Sequence, residues 1–299
     1  MRILLNYRQD FDRERPVASY AFAVHDALEK LNHEVTPIGE GHHHTIHTVR
    51  GRAYDLLLDL DNGRNKKGEF GFVCSDNPLN KIPTAVWFID THGQQDLHTR
   101  LAPKYNHVFF AVWNKRDVFK GHPSAHWCPN ATEPDYFPLA RPIPTFEFGF
   151  FGSKGGLPRA TPMIEFAKAN NWTYDVRQVN GPWKHKFPHT GEAMAQCRVL
   201  FNHGQKHDGP NLRVMESMAV GRPLITDVDM IDGMSKLFEE GKHYLGYKAY
   251  SFDGLEEQMK WALKDPGNAQ MMADRAYDEV MAKHLVKHRV KQMLEVFNG

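Results

Sequence analysis

The sequence predicts an α/β protein built from two consecutive doubly wound domains that face a cleft. Three observations predict it. Short apolar runs alternate with segments of helical spacing along the chain. That alternation pauses at a proline-bearing stretch, Arg141–Thr145 (RPIPT), and then restarts. A length of 299 residues holds two cores, at about 100–200 residues per domain.

The first half reads strand by strand. Arg2–Asn6 is an apolar run of the kind found in buried parallel strands. A polar loop ends at Pro16, and Val17–Leu31 then sets Ala21, Val24, Leu28 and Leu31 on one helical face. Glu34–Ile38 is the next strand, and the strand–helix–strand order opens a doubly wound domain. Asp55–Leu60, Thr84–Ile89, His107–Trp113 and Ala125–Cys128 follow as strands. Trp87, Phe88, Phe109, Phe110 and Trp113 are expected in the sheet core. Ligands of open parallel sheets sit just beyond the carboxyl ends of strands, so Asp90, His92, Asn114 and Asn130 are expected to face a cleft. Two alternatives stay open: Asp90 as cap of a helix starting near Thr91, and His92 as a structural histidine.

The second half repeats the pattern. Phe146–Phe151 is a strand, Gly152–Gly156 a turn, Thr161–Asn170 a helix and Thr173–Val176 a strand. A helix around Glu192–Gln196 precedes strand Val199–Phe201. Asn211–Val220 is a helix with Gly221 just past its end, a common stop, and Pro223–Thr226 is the strand after it. Leu255–Leu263 and Ala269–Lys283 are the clearest helices of the remainder.

Bulk properties narrow the function. Lysine and arginine total 37 against 36 acidic residues, so no broad field draws in nucleic acid or membrane. The 3 cysteines, Cys74, Cys128 and Cys197, are too few and too far apart for a disulfide framework or a CxxC metal motif, which fits a reduced cytoplasmic setting. The amino terminus turns polar at Asn6, unlike a signal peptide, and no stretch is apolar enough to span a bilayer. His42–His44 with His47 reads as a solvated loop rather than a metal site, and Lys283–Lys291 as a solvated helix face.

The chemistry concentrates in HDGPNLRVMESMAVGRPLITD, residues 207–227. Gly209 and Pro210 break the chain, and a helix starts near Asn211 and Leu212. Free N–H groups at such a start hold phosphate. Arg213 in the first turn adds charge and forked hydrogen bonds for a diphosphate. Glu216 lies at i+3 from Arg213 and can accept from ribose hydroxyls, although the two also suit a plain surface ion pair. Asp208, on the preceding loop, suits the grip of sugar hydroxyls or an ordinary loop acid. In FGFFGSKGGLPR, residues 148–159, a strand delivers Gly152, Ser153 and Lys154, where glycine lets backbone approach a phosphate and Lys154 or Arg159 neutralises it.

Here the sequence resembles a known group. Asp208 and Glu216 fit the E-x7-E pattern of retaining, metal-independent glycosyltransferases of the two-Rossmann (GT-B) type, family-4-like, with Asp in place of the first Glu. GPNLRVMESMAVGRPLITD looks most like the spore-maturation-type (CgeB-like) branch, as do IPTAVWFIDTHG at 82–93, CPNATEPDYFPL at 128–139 and DGMSKLFEEGKHYLGY at 232–247. The resemblance implies a nucleoside-diphosphate sugar, UDP-sugar first among them, bound by the second domain, and an acceptor at the first. It implies no cofactor and no metal. Gly152, Ser153 and Lys154 would face the donor diphosphate, with Asn202 and His203 completing the donor wall. Asp208 and Arg213 would serve catalysis, with Asp90 and His92 on the acceptor side. A last helix, about Val286–Phe297, would return to the first domain. The implied division is 1–143, 144–284 and 285–299.

Rivals remain at this point. The acceptor is open between a glycan, a small molecule and a hydroxymethyl-pyrimidine base of DNA, for which Arg8, Arg13, Arg15, Lys66 and Lys67 would supply a basic groove. A binding or scaffold protein without catalysis is the second rival, raised by Asp at 208. A dinucleotide oxidoreductase lacks its strand–GxGxxG–helix unit after Arg2–Asn6.

Overall fold

The computed structural model describes residues 1–7, 20–49, 52–61, 71–73, 82–152, 154–178, 187–204, 210–228 and 233–298. The chain divides into two compact units: Met1–Pro129 with Val286–Gly299, and Asn130–Leu285.

The first unit carries a six-stranded parallel sheet: β1 (Arg2–Asn6), β2 (Glu34–Ile38), β3 (Leu56–Leu60), β4 (Thr84–Phe88), β5 (His107–Phe110) and β6 (Ala125–Trp127), in spatial order β2-β1-β3-β4-β5-β6. Strands β1, β3 and β4 are buried along almost their whole length, as strands covered on both faces are, with Asp59 a buried polar residue of β3. Val86, Phe88, Val108, Phe110 and Phe119 pack on one side, and Leu4, Ile38, Val49 and Leu57 form a second cluster. The helices are α1 (Tyr20–Lys30), α2 (Thr91–Leu101) and, from the far end of the chain, α9 (Val286–Asn298).

Helix α9 packs on α1 and is stitched to this unit by backbone carbonyls. Arg289 Nε donates to Pro129 O at 2.8 Å, and Gln292 Nε2 to Trp127 O at 2.7 Å. The stretch expected to be a solvated basic face is therefore split. Lys287 and Lys291 are exposed, whereas Arg289 is buried with Val286 and Val290. Strand β5 ends at Phe110 instead of Trp113, which opens a 3-10 helix, Trp113–Phe119, and stacks edge-on against Trp127. His42 leaves the expected solvated loop to pack on Tyr7 at 4.4 Å, and burial pushes its pKa down to about 4.

The second unit holds a five-stranded parallel sheet: β7 (Phe146–Gly152), β8 (Tyr174–Gln178), β9 (Cys197–Asn202), β10 (Leu224–Val228) and β11 (Leu245–Lys248), ordered β11-β10-β9-β7-β8. Its helices are α3 (Thr161–Ala169), α4 (Phe187–Ala195), α5 (Leu212–Ala219), α6 (Met234–Leu237), α7 (Leu255–Lys264) and α8 (Pro266–Lys283). Alternation along β9 sorts the two cores. Val199 and Phe201 face Phe148, Phe150, Ile225 and Tyr247, while Leu200 faces Val214, Met215 and Met218 of α5. The turn expected at 152–156 is mostly a 3-10 helix, Lys154–Ala160. Residues 130–145 are tied into this unit: Asn130 Nδ2 donates to Pro210 O at 3.1 Å, and Arg222 Nη2 to Pro142 O at 2.7 Å.

Among the described residues no helix is long and apolar enough to cross a membrane. Cys128 and Cys197 are free, buried thiols, and burial pushes both up to about 12.

Gly149 shows how tightly the central strands meet. A Cβ there would overlap Cys197 Sγ on β9 and crowd the Phe151 ring. Overpacking of this kind costs about 1–3 kcal/mol. Gly149→Ala is expected to lower Tm by roughly 3–9 °C in a scanning calorimeter, and Cys197→Ala added to it should recover part of the loss. An unchanged Tm for Gly149→Ala would show that the β7–β9 contact is slack.

Candidate active site

Strand β9 delivers Asn202 and His203 at its carboxyl end, and each is held by neighbours. Asn202 is buried; its Nδ2 donates to Thr226 Oγ1 at 2.9 Å, and its Oδ1 accepts from Asn211 Nδ2 at 3.2 Å. Asn211 is thereby fixed as the cap of α5. Its extended backbone precedes the helix, and its Oδ1 accepts from Val214 N at 3.3 Å. The cap closes that N–H and leaves those of Leu212 and Arg213 heading the helix with no acceptor among the described residues.

His203 is braced by aromatic stacking. Tyr247 OH donates to Asn202 O at 3.1 Å, so in the 2.6 Å contact between that hydroxyl and His203 Nδ1 the imidazole is the donor. The His203 ring stacks on Tyr247 and tilts over Phe252. From the β7 side, Arg159 Nη1 donates to His203 O at 3.0 Å, which brings the end of the 3-10 helix beside the end of β9. Burial lowers the Arg159 pKa, and the Asp227 carboxylate and Tyr247 oppose that. Asp227 Oδ1 accepts from Gly204 N at 2.7 Å and holds the turn after β9. A Cβ at Gly204 would press on Asp227 Oδ2 at 3.0 Å.

Glu216 is the most unusual group. It sits one turn inside α5 and is only 6% exposed. Arg213 Nη1 approaches Glu216 Oε2 to 2.5 Å, yet that oxygen has no aligned hydrogen-bond donor. The contact is Coulombic, with the N–H directed elsewhere. Burial raises the Glu216 pKa, and Arg213 pulls it back only in part. The i,i+3 pair that the spacing allowed as a plain surface contact exists, but with Arg213 half-buried and Glu216 buried, one carboxylate oxygen having no aligned donor.

The structure brings Asn202, His203, Pro210, Asn211, Leu212, Arg213 and Glu216 into one neighbourhood through the β9–α5 connection. Gly152 ends β7, and Lys154 opens the 3-10 helix that ends with Arg159 and Ala160. Ser153, Asp208 and Gly209 lie outside the described residues, as do Arg8, Arg13, Arg15, Lys66 and Lys67. Sequence reasoning missed Asp227, Tyr247 and Thr226. The first and last close the PLITD strand, where the carboxyl-end rule would have found them; Tyr247 carried no such signal.

In the first unit, Asp90 and His92 stand at the start of α2. Asp90 occupies the cap position, but its side chain makes no capping hydrogen bond. The residue reaches solvent, yet its carboxyl is backed by protein. Desolvation first, then the Asp61 carboxylate, raises its pKa, and His92 lowers it. Asn114 lies in the 3-10 helix after β5, and Asn130 belongs to the second unit. Among the described residues no group of three His, Cys, Asp or Glu is placed to hold a metal ion.

A sequence profile of the glycosyl transferase-like family matches residues 138–295. No curated protein matches the chain. Among solved structures, an alpha-glucosyltransferase in complex with UDP-glucose and DNA containing an abasic site is similar over 100% of both chains, with a TM-score of 0.70 and 10% identity. Sucrose-phosphate synthase from Thermosynechococcus elongatus is similar over 99% of this chain and 98% of its own, at 0.66 and 9%. A glycosyltransferase from Rickettsia africae ESF-5 follows at 0.63 and 10%, over 99% and 97%. At such identities the likeness is one of fold, and the fold is the GT-B arrangement.

The raised Glu216 pKa has a thermodynamic consequence. The folded state holds the neutral form better than the unfolded chain does, so the stability it adds is full at low pH and is lost as pH rises through the folded value. Glu216→Gln, which is neutral throughout, is therefore expected to match or exceed the wild-type Tm at neutral pH without ligand. The gap should close as pH falls toward the ordinary glutamate range. A variant less stable than wild type at neutral pH and no different at acidic pH would show that the Arg213 pair outweighs burial.

Proposed function

We propose that this chain, which belongs to the glycosyl transferase-like family, moves a sugar from a nucleoside-diphosphate sugar to a hydroxyl acceptor, with retention of configuration and without a metal. UDP is the nucleotide the reading favours, because alpha-glucosyltransferases of the same fold bind UDP-glucose and UDP. The observation that carries the proposal is the buried Glu216 carboxylate, with an oxygen that lacks a hydrogen-bond donor, one turn inside a helix whose leading N–H groups have no acceptor among the described residues. A ribose brings hydroxyl donors for the first, and a diphosphate brings acceptors for the second.

The roles follow from that pairing. Glu216 holds the ribose. Arg213 and the N–H groups at the start of α5 meet the diphosphate, with Lys154 adding charge from the β7 side. As the bond from the anomeric carbon to the diphosphate breaks, the electron pair leaves with the diphosphate, and fixed positive groups stabilise that growing charge. Arg159, partly buried beside His203, adds to the same potential. Asp208 orients the sugar. Asp90 and His92 serve the acceptor: Asp90, whose pKa is raised by desolvation and by the Asp61 carboxylate, takes the acceptor proton.

A second reading keeps this chemistry and takes a base of DNA as the acceptor. It is favoured by the complex of a full-length fold neighbour with DNA. Binding of a DNA duplex that weakens steeply with added salt would support it, and no binding at low salt would remove it.

The donor reading is tested by two variants that should fail differently. Glu216→Gln should weaken UDP binding by about 1.5–3 kcal/mol, with KM suffering more than kcat, because the ribose is remote from the reacting carbon. Arg213→Ala should lower kcat by ~10²–10³. Near-wild-type kinetics for both folded variants would place the donor elsewhere. A chelator is expected to leave turnover unchanged; loss of activity restored by Mg²⁺ or Mn²⁺ would overturn the metal-independent mechanism.

A further inference from the structure

Asp61 follows directly on β3, and its carboxylate is turned under the start of α2. Oδ2 accepts from both Ile89 N and Asp90 N at 3.1 Å, so a single oxygen pins the backbone that presents Asp90. On the inner side, His98 Nε2 lies 3.4 Å from that same oxygen. His98 is fully buried, stacked on Phe88 at 4.0 Å, with Nδ1 3.2 Å from Thr91 Oγ1. Its Nε2 contact with Asp61 lacks hydrogen-bond alignment.

We propose that Asp61 is the positioning residue of the acceptor side: it fixes the Ile89–Asp90 backbone through two N–H bonds and sets its own negative charge behind the Asp90 carboxyl. The proposal rests on the reading of Asp90 as the group that takes the acceptor proton. In that step the acceptor oxygen bonds to the anomeric carbon on the face that the diphosphate leaves, as the carbon–diphosphate bond breaks, so configuration is kept. The electron pair leaves with the diphosphate, and the hydroxyl proton passes to Asp90.

The groups facing Asp90 decide the sign. Asp61, from the end of β3, raises its pKa by like charge. His92, on the first turn of α2, lowers it. His98, further along α2, does not cancel Asp61, because burial pushes its pKa down to about 4 and keeps the ring neutral near pH 7. A carboxylate that binds a proton more readily is a better acceptor for a hydroxyl proton, so Asp61 makes Asp90 a stronger base while holding it in place.

The experiment follows the Asp90 carboxyl directly, in the full chain with carbon-13-labelled aspartate. The signal is assigned by its loss in Asp90→Asn. UDP release from UDP-glucose, with water as acceptor, is followed against pH in parallel. Asp61→Asn keeps an acceptor for the two N–H groups and removes the charge; the Asp90 midpoint and the acid limb of the rate profile should both move to lower pH. Asp61→Glu keeps the charge and should hold the midpoint near its wild-type position. Asp61→Ala removes the backbone tie as well and should lose about tenfold or more in rate, with UDP affinity unchanged. An Asp90 midpoint that stays put in Asp61→Asn, while Asp90→Asn is inactive, overturns the role of Asp61 alone. Full UDP release by Asp90→Asn sinks the reading of Asp90 on which it rests.

Discussion

The Glu216 carboxylate is withdrawn from water with one cation against it and no hydrogen bond to the oxygen nearest that cation. Several kcal/mol of desolvation is the usual cost of such an ion, and the Arg213 contact offsets part of it. Everything around α5 is arranged so that the helix bears this cost without shifting. Val214, Met215 and Met218 anchor it on Leu200 of β9. Asn211 closes its first turn, and Asn211 is itself held by Asn202, which Thr226 of β10 holds in turn. The core supplies the stability, and the helix start spends it on groups complementary to a polar ligand.

The first unit repeats the device with different parts. Asp59 is fully buried and accepts from Asn6 Nδ2 at 2.6 Å and from the Tyr105 hydroxyl, which fastens the ends of β1 and β3 together. Asp61, two positions on, turns toward the next strand and carries the start of α2. Asp59 accepts from the Asn6 and Tyr105 side chains and from Val73 N at 3.3 Å, and is structural. Asp61 is satisfied by the backbone that presents Asp90.

Much of this was legible in the sequence. The strands Arg2–Asn6 and Thr84–Phe88 hold apolar runs with clear limits, and such runs mark buried strands. The start of α5 was legible because Gly209 and Pro210 break the chain and Asn211 is a strong cap. Less was legible where distant residues decide. Leu245–Lys248 is short and polar at its end, and becomes a strand because β10 offers it a partner. The 3-10 helix at Trp113 begins where β6 has too few residues to extend the ladder. The burial of Arg213 and Glu216 was invisible for the same reason: i,i+3 spacing puts them on one face, and only the packing of α5 decides that the face points inward. Asp61 carried no motif, since its partners are backbone N–H groups of another strand's end.

The central claim is that the ligand-seeking groups at the start of α5 are a nucleotide site. A crystal structure of the protein with UDP tests it most directly. The account predicts ribose hydroxyls within hydrogen-bond reach of Glu216, with phosphate oxygens against the Leu212 and Arg213 N–H groups. UDP bound elsewhere, with Glu216 still facing only Arg213, would contradict it.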